Sequence, residues 1–202
     1  MKLTDLQNTQ PGRPALVMGG GPSLPSDYAR VMASLQMERI YLPTYPPVAL
    51  PPVQEPPLHI SVNYHADMIG LPYDFIVYND FPEHDPWMLD CLQRTDAIKV
   101  SPEPSSDIDF GDVPVWTGFY SSHTATWFAL WLGCDPVILL GHDLYQGAKK
   151  HCHADIRDPD WWHFPVDKHL RPWLEEAPHK LPHFERVRVA SGPLGQLFPL
   201  YE

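Results

Sequence analysis

With 202 residues and 44% hydrophobic content, the chain is long enough to bury one proper core, about 70% of its unfolded surface. A net charge of −11 with no offsetting basic run excludes a nucleic-acid backbone as a partner. The longest apolar run, near 137–140, is too short to span a bilayer. Three widely spaced cysteines, Cys91, Cys134 and Cys152, give no disulfide framework, and the N-terminus is polar without an apolar signal segment, so the expected setting is a reducing cytoplasm.

Residues 14–18 form a short apolar run, as a central parallel strand requires. It passes directly into Gly19-Gly20-Gly21-Pro22-Ser23-Leu24. Three glycines without Cβ let a ligand approach the backbone closely. Pro22 suits a first helical turn, and the amides beyond it favour an anion such as a phosphate or diphosphate. The same residues also read as a plain strand-to-helix turn. A first helix is expected over 26–37, with Ser26 as N-cap and Asp27 in the first turn. Residues 43–57 hold seven prolines in fifteen positions. They exclude a regular helix or central strand and read as a polyproline-like insertion, either a linker or a flap.

Strand character returns at 58–62, ending at Asn63, and at 74–78, ending at Asn79-Asp80. A helix near 86–94 and a strand at 97–100 come next, then an acidic loop over 103–112 and a further strand at 113–116. The clearest helix is 122–132, capped by Ser121 or Ser122 and stopped at Gly133. Strand 136–140 ends in Gly141-His142-Asp143. Residues 146–184 are rich in Trp, His and Pro, with a short helix near 167–176. The last strand, 186–190, runs into Ser191-Gly192. This alternation predicts a single Rossmann-like α/β domain: a mostly parallel sheet, helices on both faces, the proline-rich insertion and a C-terminal lid.

Every strand then ends in glycine or polar residues on one edge, where open α/β sheets bind ligands. Asn63 offers a donor and an acceptor to a base, ribose or phosphate, or closes an Asx turn. Asp80 suits a ribose hydroxyl or a divalent ion. Asp143 suits either of these, or caps the turn after it.

Taken in order, Gly19-Gly20-Gly21-Pro22-Ser23-Leu24, Ile60-Ser61-Val62-Asn63, the 74–80 strand ending in Asn79-Asp80, Gly118 with Ser121-Ser122, and Gly141-His142-Asp143-Leu144-Tyr145 form a pattern. It resembles the family joining 6-hydroxymethylpterin diphosphokinase-like proteins to motility-associated glycosyltransferase-like proteins. It is also similar to bacterial sialyltransferases that use a CMP-activated sugar. The resemblance spans about residues 14–145, with an echo near 187–195. It implies a Rossmann-like fold and a nucleotide on the Gly20–Ser23 loop, touched by Asn63, Ser121 and Ser122. It further implies a lid over 146–184 that supplies a histidine base, for which His163 is the matching residue.

Three chemistries are open to such a site. In glycosyl transfer from a nucleotide-sugar, His163 takes the acceptor proton, Tyr145 contacts the phosphate and Asp143 is the third catalytic candidate. In diphosphoryl transfer, Asp80 and Asp143 hold magnesium for ATP. In the third, the fold binds a nucleotide without chemistry. His151-Cys152-His153-x-Asp155 holds zinc-type ligands at tight spacing and reads either as a metal site or as part of a polar lid. Trp161, Trp162 and Trp173 either close over a ligand or form a satellite core.

Overall fold

A computed structural model describes residues 1–40, 55–118, 120–146, 151–152 and 165–202. Six strands form one parallel sheet: β1 (Ala15–Met18), β2 (Leu58–Val62), β3 (Phe75–Val77), β4 (Ile98–Val100), β5 (Val137–Leu140) and β6 (Val187–Val189). Their order is β4-β3-β2-β1-β5-β6, so the chain walks outward from β1 to β4, then returns to the other side of β1. The topological switch lies between β1 and β5. Met18 pairs with Ser61 on one side and Leu140 on the other, which brings the carboxyl ends of the three central strands level.

Both faces are covered, which is why the central strands are apolar throughout rather than alternating. Ala15, Val17, Val137 and Leu139 pack with α4 (Ser121–Trp131) and α5 (Val166–Lys180). Leu16, Met18, Ile138 and Leu140 pack under α1 (Leu24–Ile40). A smaller cluster seats α3 (Pro86–Arg94) on Ile76 and Tyr78, and a single helical turn, α2 (His65–Met68), comes after β2. Nine of the eleven α4 residues are buried, so this helix lies within the core rather than across its surface.

Several sequence expectations change. The first helix begins at Leu24, not 26. Pro22 therefore precedes it, Pro25 lies in its first turn, and the Ser26 hydroxyl donates to the Ser23 carbonyl at 2.9 Å instead of capping. Residues 113–116 form no strand. Pro114 has no amide to give a ladder, and the amides of Val115 and Thr117 close three-residue turns onto Val113 and Val115 at 2.8 and 3.0 Å. Helix α4 starts at Ser121 with Tyr120 as its N-cap, and no side chain caps it. Helix α5 is longer than expected and runs through Pro172 and Pro178, with His169, Leu170, Trp173 and Ala177 buried beneath it. Trp173 belongs to the main core rather than to a satellite. The 43–54 part of the proline-rich insertion, Trp161 and Trp162 fall outside the described residues.

Asp27 ties the ligand edge together. It is 4% exposed, and its Oδ2 accepts from Ser23 Oγ at 2.8 Å, Ser191 Oγ at 2.9 Å and the Gly141 amide at 3.1 Å. One carboxylate thus joins the start of α1 to the ends of β5 and β6. Arg30 stands 3.9 Å away and donates to the Ala190 carbonyl. Removing the carboxylate in Asp27→Ala leaves a buried N–H and two hydroxyls without their acceptor. The expected cost is about 3 kcal/mol, or a melting temperature lower by roughly 6–12 °C for a chain of this size. Thermal unfolding of the two proteins measures it, and a shift below about 2 °C contradicts the role.

Candidate functional site: the crevice at the switch point

The glycine loop leaves β1 against the loop that leaves β5. The Gly19 amide donates to Leu140 O and the Gly21 amide to Gly141 O, both at 2.8 Å. Each glycine admits a neighbour at a distance no side chain would allow. A Cβ on Gly19 would stand 2.7 Å from Gly141 O, one on Gly20 2.5 Å from His65 Nε2, and one on Gly21 2.2 Å from Asp143 Oδ2. The close approach expected of a ligand is thus made by the protein's own groups. The Ser23 amide donates to Asp143 Oδ2 at 2.8 Å, so the anion-binding end of the loop holds an internal carboxylate. Asp143 does not cap the next turn with its side chain. Its carbonyl closes that turn by accepting from Gln146 N at 3.0 Å.

Asn63 ends β2 at φ 51°, a left-handed backbone that asparagine tolerates. The turn is closed by Ser61, whose Oγ donates to the Asn63 carbonyl at 2.7 Å and accepts from Ala66 N at 3.3 Å. Asn63 Oδ1 is buried without a hydrogen-bond partner among the described residues, so it does not form the Asx turn. Ser121 is occupied: its Oγ accepts the Asn79 amide at 3.0 Å. Asn79 further bridges Thr117 O and the Thr124 hydroxyl at 2.6 and 2.9 Å. Ser122 is partly exposed, and its carbonyl accepts from the Thr126 hydroxyl at 2.8 Å. Asp80 lies further along the edge, its carboxyl pushed up by burial and by Asp85. Burial and the same Asp85 push the Tyr64 hydroxyl up to about 12.

Tyr145 and Leu144 both take left-handed backbone, φ 58° and 50°. Two consecutive residues with side chains there store strain directly beside the crevice. The Tyr145 ring lies 4.9 Å from His169 and 5.8 Å from His151. His163 falls outside the described residues, as do His153 and Asp155 of the tight His-Cys-His run. Among the described residues, no group of three or more His, Cys, Asp or Glu is placed to hold a metal ion.

The structure places His151 and Cys152 of that run on the glycine loop, and adds His65, Tyr120, His123 and His169, which sequence reasoning did not single out. His151 stacks on His65 at 5.3 Å, and the Cys152 amide donates to Gly20 O at 2.8 Å. This segment therefore lies over the glycine loop. His169 Nδ1 and the Tyr120 hydroxyl are 2.5 Å apart. Behind them, His123 stacks on Trp116 at 4.1 Å. A seam of rings thus runs from the core to the glycine loop: His123, Tyr120, His169, Tyr145, His151 and His65. Tyr145 and His151 stand in the sequence motifs; for His65, His123 and His169 the only sequence signal is the count of eleven histidines in an acidic chain.

No family model matches this chain, and no curated protein matches it. Among solved structures, that of the MAf glycosyltransferase from Magnetospirillum magneticum AMB-1 is similar over 78% of this chain, at 16% identity and a TM-score of 0.41. The chain spans 28% of that protein's length. A likeness of this degree bears on neither the site nor the activity. Among the described residues, no helix is long and apolar enough to cross a membrane.

Burial pushes the His123 imidazole down to about 3 and His142 to about 4. Unfolded, each takes a proton below its ordinary 6.5, whereas folded it stays neutral. Their contribution to stability is therefore full above pH 6.5 and is lost as the pH falls from there toward 4. At pH 5 the expected loss is about 2 kcal/mol per imidazole. His123→Phe keeps the stack on Trp116 and removes one titration. The fall in melting temperature between pH 7 and 5 should be clearly smaller in this variant, and an equal fall contradicts the assignment.

Proposed function

We propose that this chain is a nucleotide-binding transferase of the glycosyltransferase-like kind. It takes a nucleotide-activated sugar in the crevice between the β1 and β5 loops. The observation that carries this reading is the convergence of the glycine loop, Asn63, Asp143 and Tyr145 at the one switch point of a parallel sheet, where such folds bind ligands. A nucleotide fits the groups there. Asn63 Oδ1, buried and without a partner among the described residues, asks for a donor such as a base amine or a ribose hydroxyl. The Ser23 amide already holds an oxygen anion, Asp143 Oδ2, in the way it would hold a phosphate oxygen. Donor binding then exchanges one anion for another, and the freed Asp143 carboxylate becomes an acceptor inside the crevice.

Transfer requires the acceptor hydroxyl to lose a proton and the leaving phosphate to be stabilised as charge builds. Loop amides and the Tyr145 hydroxyl supply the second. An imidazole supplies the first, and His163 remains the proposed base. Asp80, Ser121 and Ser122 lie along the same edge, toward β3, and would contact the more distant part of the substrate.

Magnesium-dependent diphosphoryl transfer from ATP would need Asp80 and Asp143 on one ion. They come after β3 and β5, three places apart in the sheet, or about 14 Å between strand axes, which speaks against one shared ion. The engaged Ser23 amide favours one second reading, a regulatory module that binds a nucleotide without turning it over.

Thermal unfolding against CMP, CDP, UDP, GDP, ATP and CMP-sialic acid, each with and without magnesium, tests the proposal. A ligand at a hundred times its dissociation constant adds about 2.7 kcal/mol, a shift of several degrees. The expected result is a metal-independent response to a nucleotide or nucleotide-sugar that Asn63→Ala abolishes. Silence from every ligand overturns the proposal, a magnesium-dependent ATP response favours the diphosphokinase chemistry, and binding of donor without its hydrolysis or transfer favours the module.

A further inference from the structure

Three buried rings meet where α4, α5 and the end of β5 come together: His123 of α4, His142 of the loop after β5, and Trp173 of α5. The Trp173 ring plane is nearly perpendicular to both imidazoles, at 82° and 86°, with centroids 4.5 Å from His123 and 6.2 Å from His142. His123 and Trp173 are 0% exposed and His142 is 6% exposed. Both nitrogens of His123, Nε2 of His142 and Nε1 of Trp173 have no hydrogen-bond partner among the described residues. A buried polar atom left unpaired costs about 1–3 kcal/mol, so the unpaired nitrogens of three packed rings call for a partner. A Cβ on Gly118 would stand 2.1 Å from His123 Nδ1, which leaves His123 Nε2 as the nitrogen to share one.

The chemistry of that partner can be read from the hydrogens. His142 Nδ1 lies 3.0 Å from Leu140 O. A carbonyl only accepts, so Nδ1 carries the proton and a neutral His142 presents a lone pair at Nε2. Trp173 only donates, and a neutral His123 presents one donor and one acceptor. The two nitrogens of one imidazole point apart, so a small partner meets only one of them on His123. With that nitrogen, the indole donor and the His142 acceptor, the rings offer three of the contacts a buried water molecule makes. A metal ion would meet the indole N–H, which has no lone pair to give. An anion would need protonated imidazoles, and burial holds both neutral.

We propose that an internal water molecule is bound between His123, His142 and Trp173, accepting from the indole N–H and donating to His142 Nε2. It is the joint that fastens α5 to α4 and to the end of β5. Helix α5 carries His169, whose ring meets Tyr120 and Tyr145, so the water positions that part of the crevice wall. The site does not depend on what the crevice binds.

NMR of the ¹⁵N-labelled protein at neutral pH tests it without a ligand. The expected result is the Nδ1–H tautomer of His142 and direct cross-relaxation between Trp173 Hε1 and a long-lived water. An Nε2–H tautomer, or an indole proton with no such contact, overturns the proposal. Trp173→Phe removes the donor and keeps an aromatic ring. Amide exchange in α5 should then quicken about tenfold, with β3 and β4 unchanged. Equal acceleration across the whole sheet would mark Trp173 as core packing alone and overturn the joint. If that variant fails to fold, the wild-type spectra decide.

Discussion

The ligand edge of this molecule depends on one buried carboxylate. A parallel sheet delivers its strand ends to one side, but each strand runs on into a loop, and backbone bonds reach only as far as Gly21 to Gly141 and Ala190 to Leu139. Asp27 supplies the one connection that spans all three loops, because a single oxygen accepts from Ser23, Gly141 and Ser191. A charged acceptor with three donors is worth burying where a neutral one would not be. The first turn of α1, the turn after β5 and the turn after β6 are thereby held as one unit.

The close packing of the crevice results from that connection. With the β5 loop drawn onto the start of α1, Gly141 O and Asp143 press on Gly19 and Gly21, and Asp143 takes the Ser23 amide. The segment at 151–152 closes over Gly20, and the imidazole seam joins it to α5 and α4. The crevice is therefore built from the protein's own anion and rings, held close to a strained Leu144-Tyr145 turn. Under the proposed function, a nucleotide phosphate replaces a carboxylate already in place and does not enter an empty cradle.

Much of the fold was legible in the chain, and for identifiable reasons. The short apolar runs at β1 and β5 read as buried strands because both faces of a parallel sheet are covered, and Gly133 marked the end of α4 because its φ of 88° suits glycine. The start of α1 misled because Ser26 and Asp27 look like a cap and a first-turn acid, whereas Asp27 turns inward to partners far along the chain. Val113 and Val115 alternate as in a strand, but Pro114 between them withholds an amide. The glycine loop was legible as a place of close approach. That His65 and Asp143 make the approach was not, since they arrive from the ends of two other strands. The buried polar triad was hidden most completely: His123 and Trp173 each look like ordinary helix residues, and only packing brings together their rings, whose nitrogens have no partner among the described residues.

The central claim is that the crevice between the β1 and β5 loops takes the nucleotide. Backbone amide chemical shifts of the labelled protein, tracked during titration with CMP, test it most directly. The account predicts changes that concentrate at Gly20, Gly21, Ser23, Asn63, Gly141 and Asp143. Changes confined to the acidic loop after β4, or none at saturating nucleotide, would contradict it.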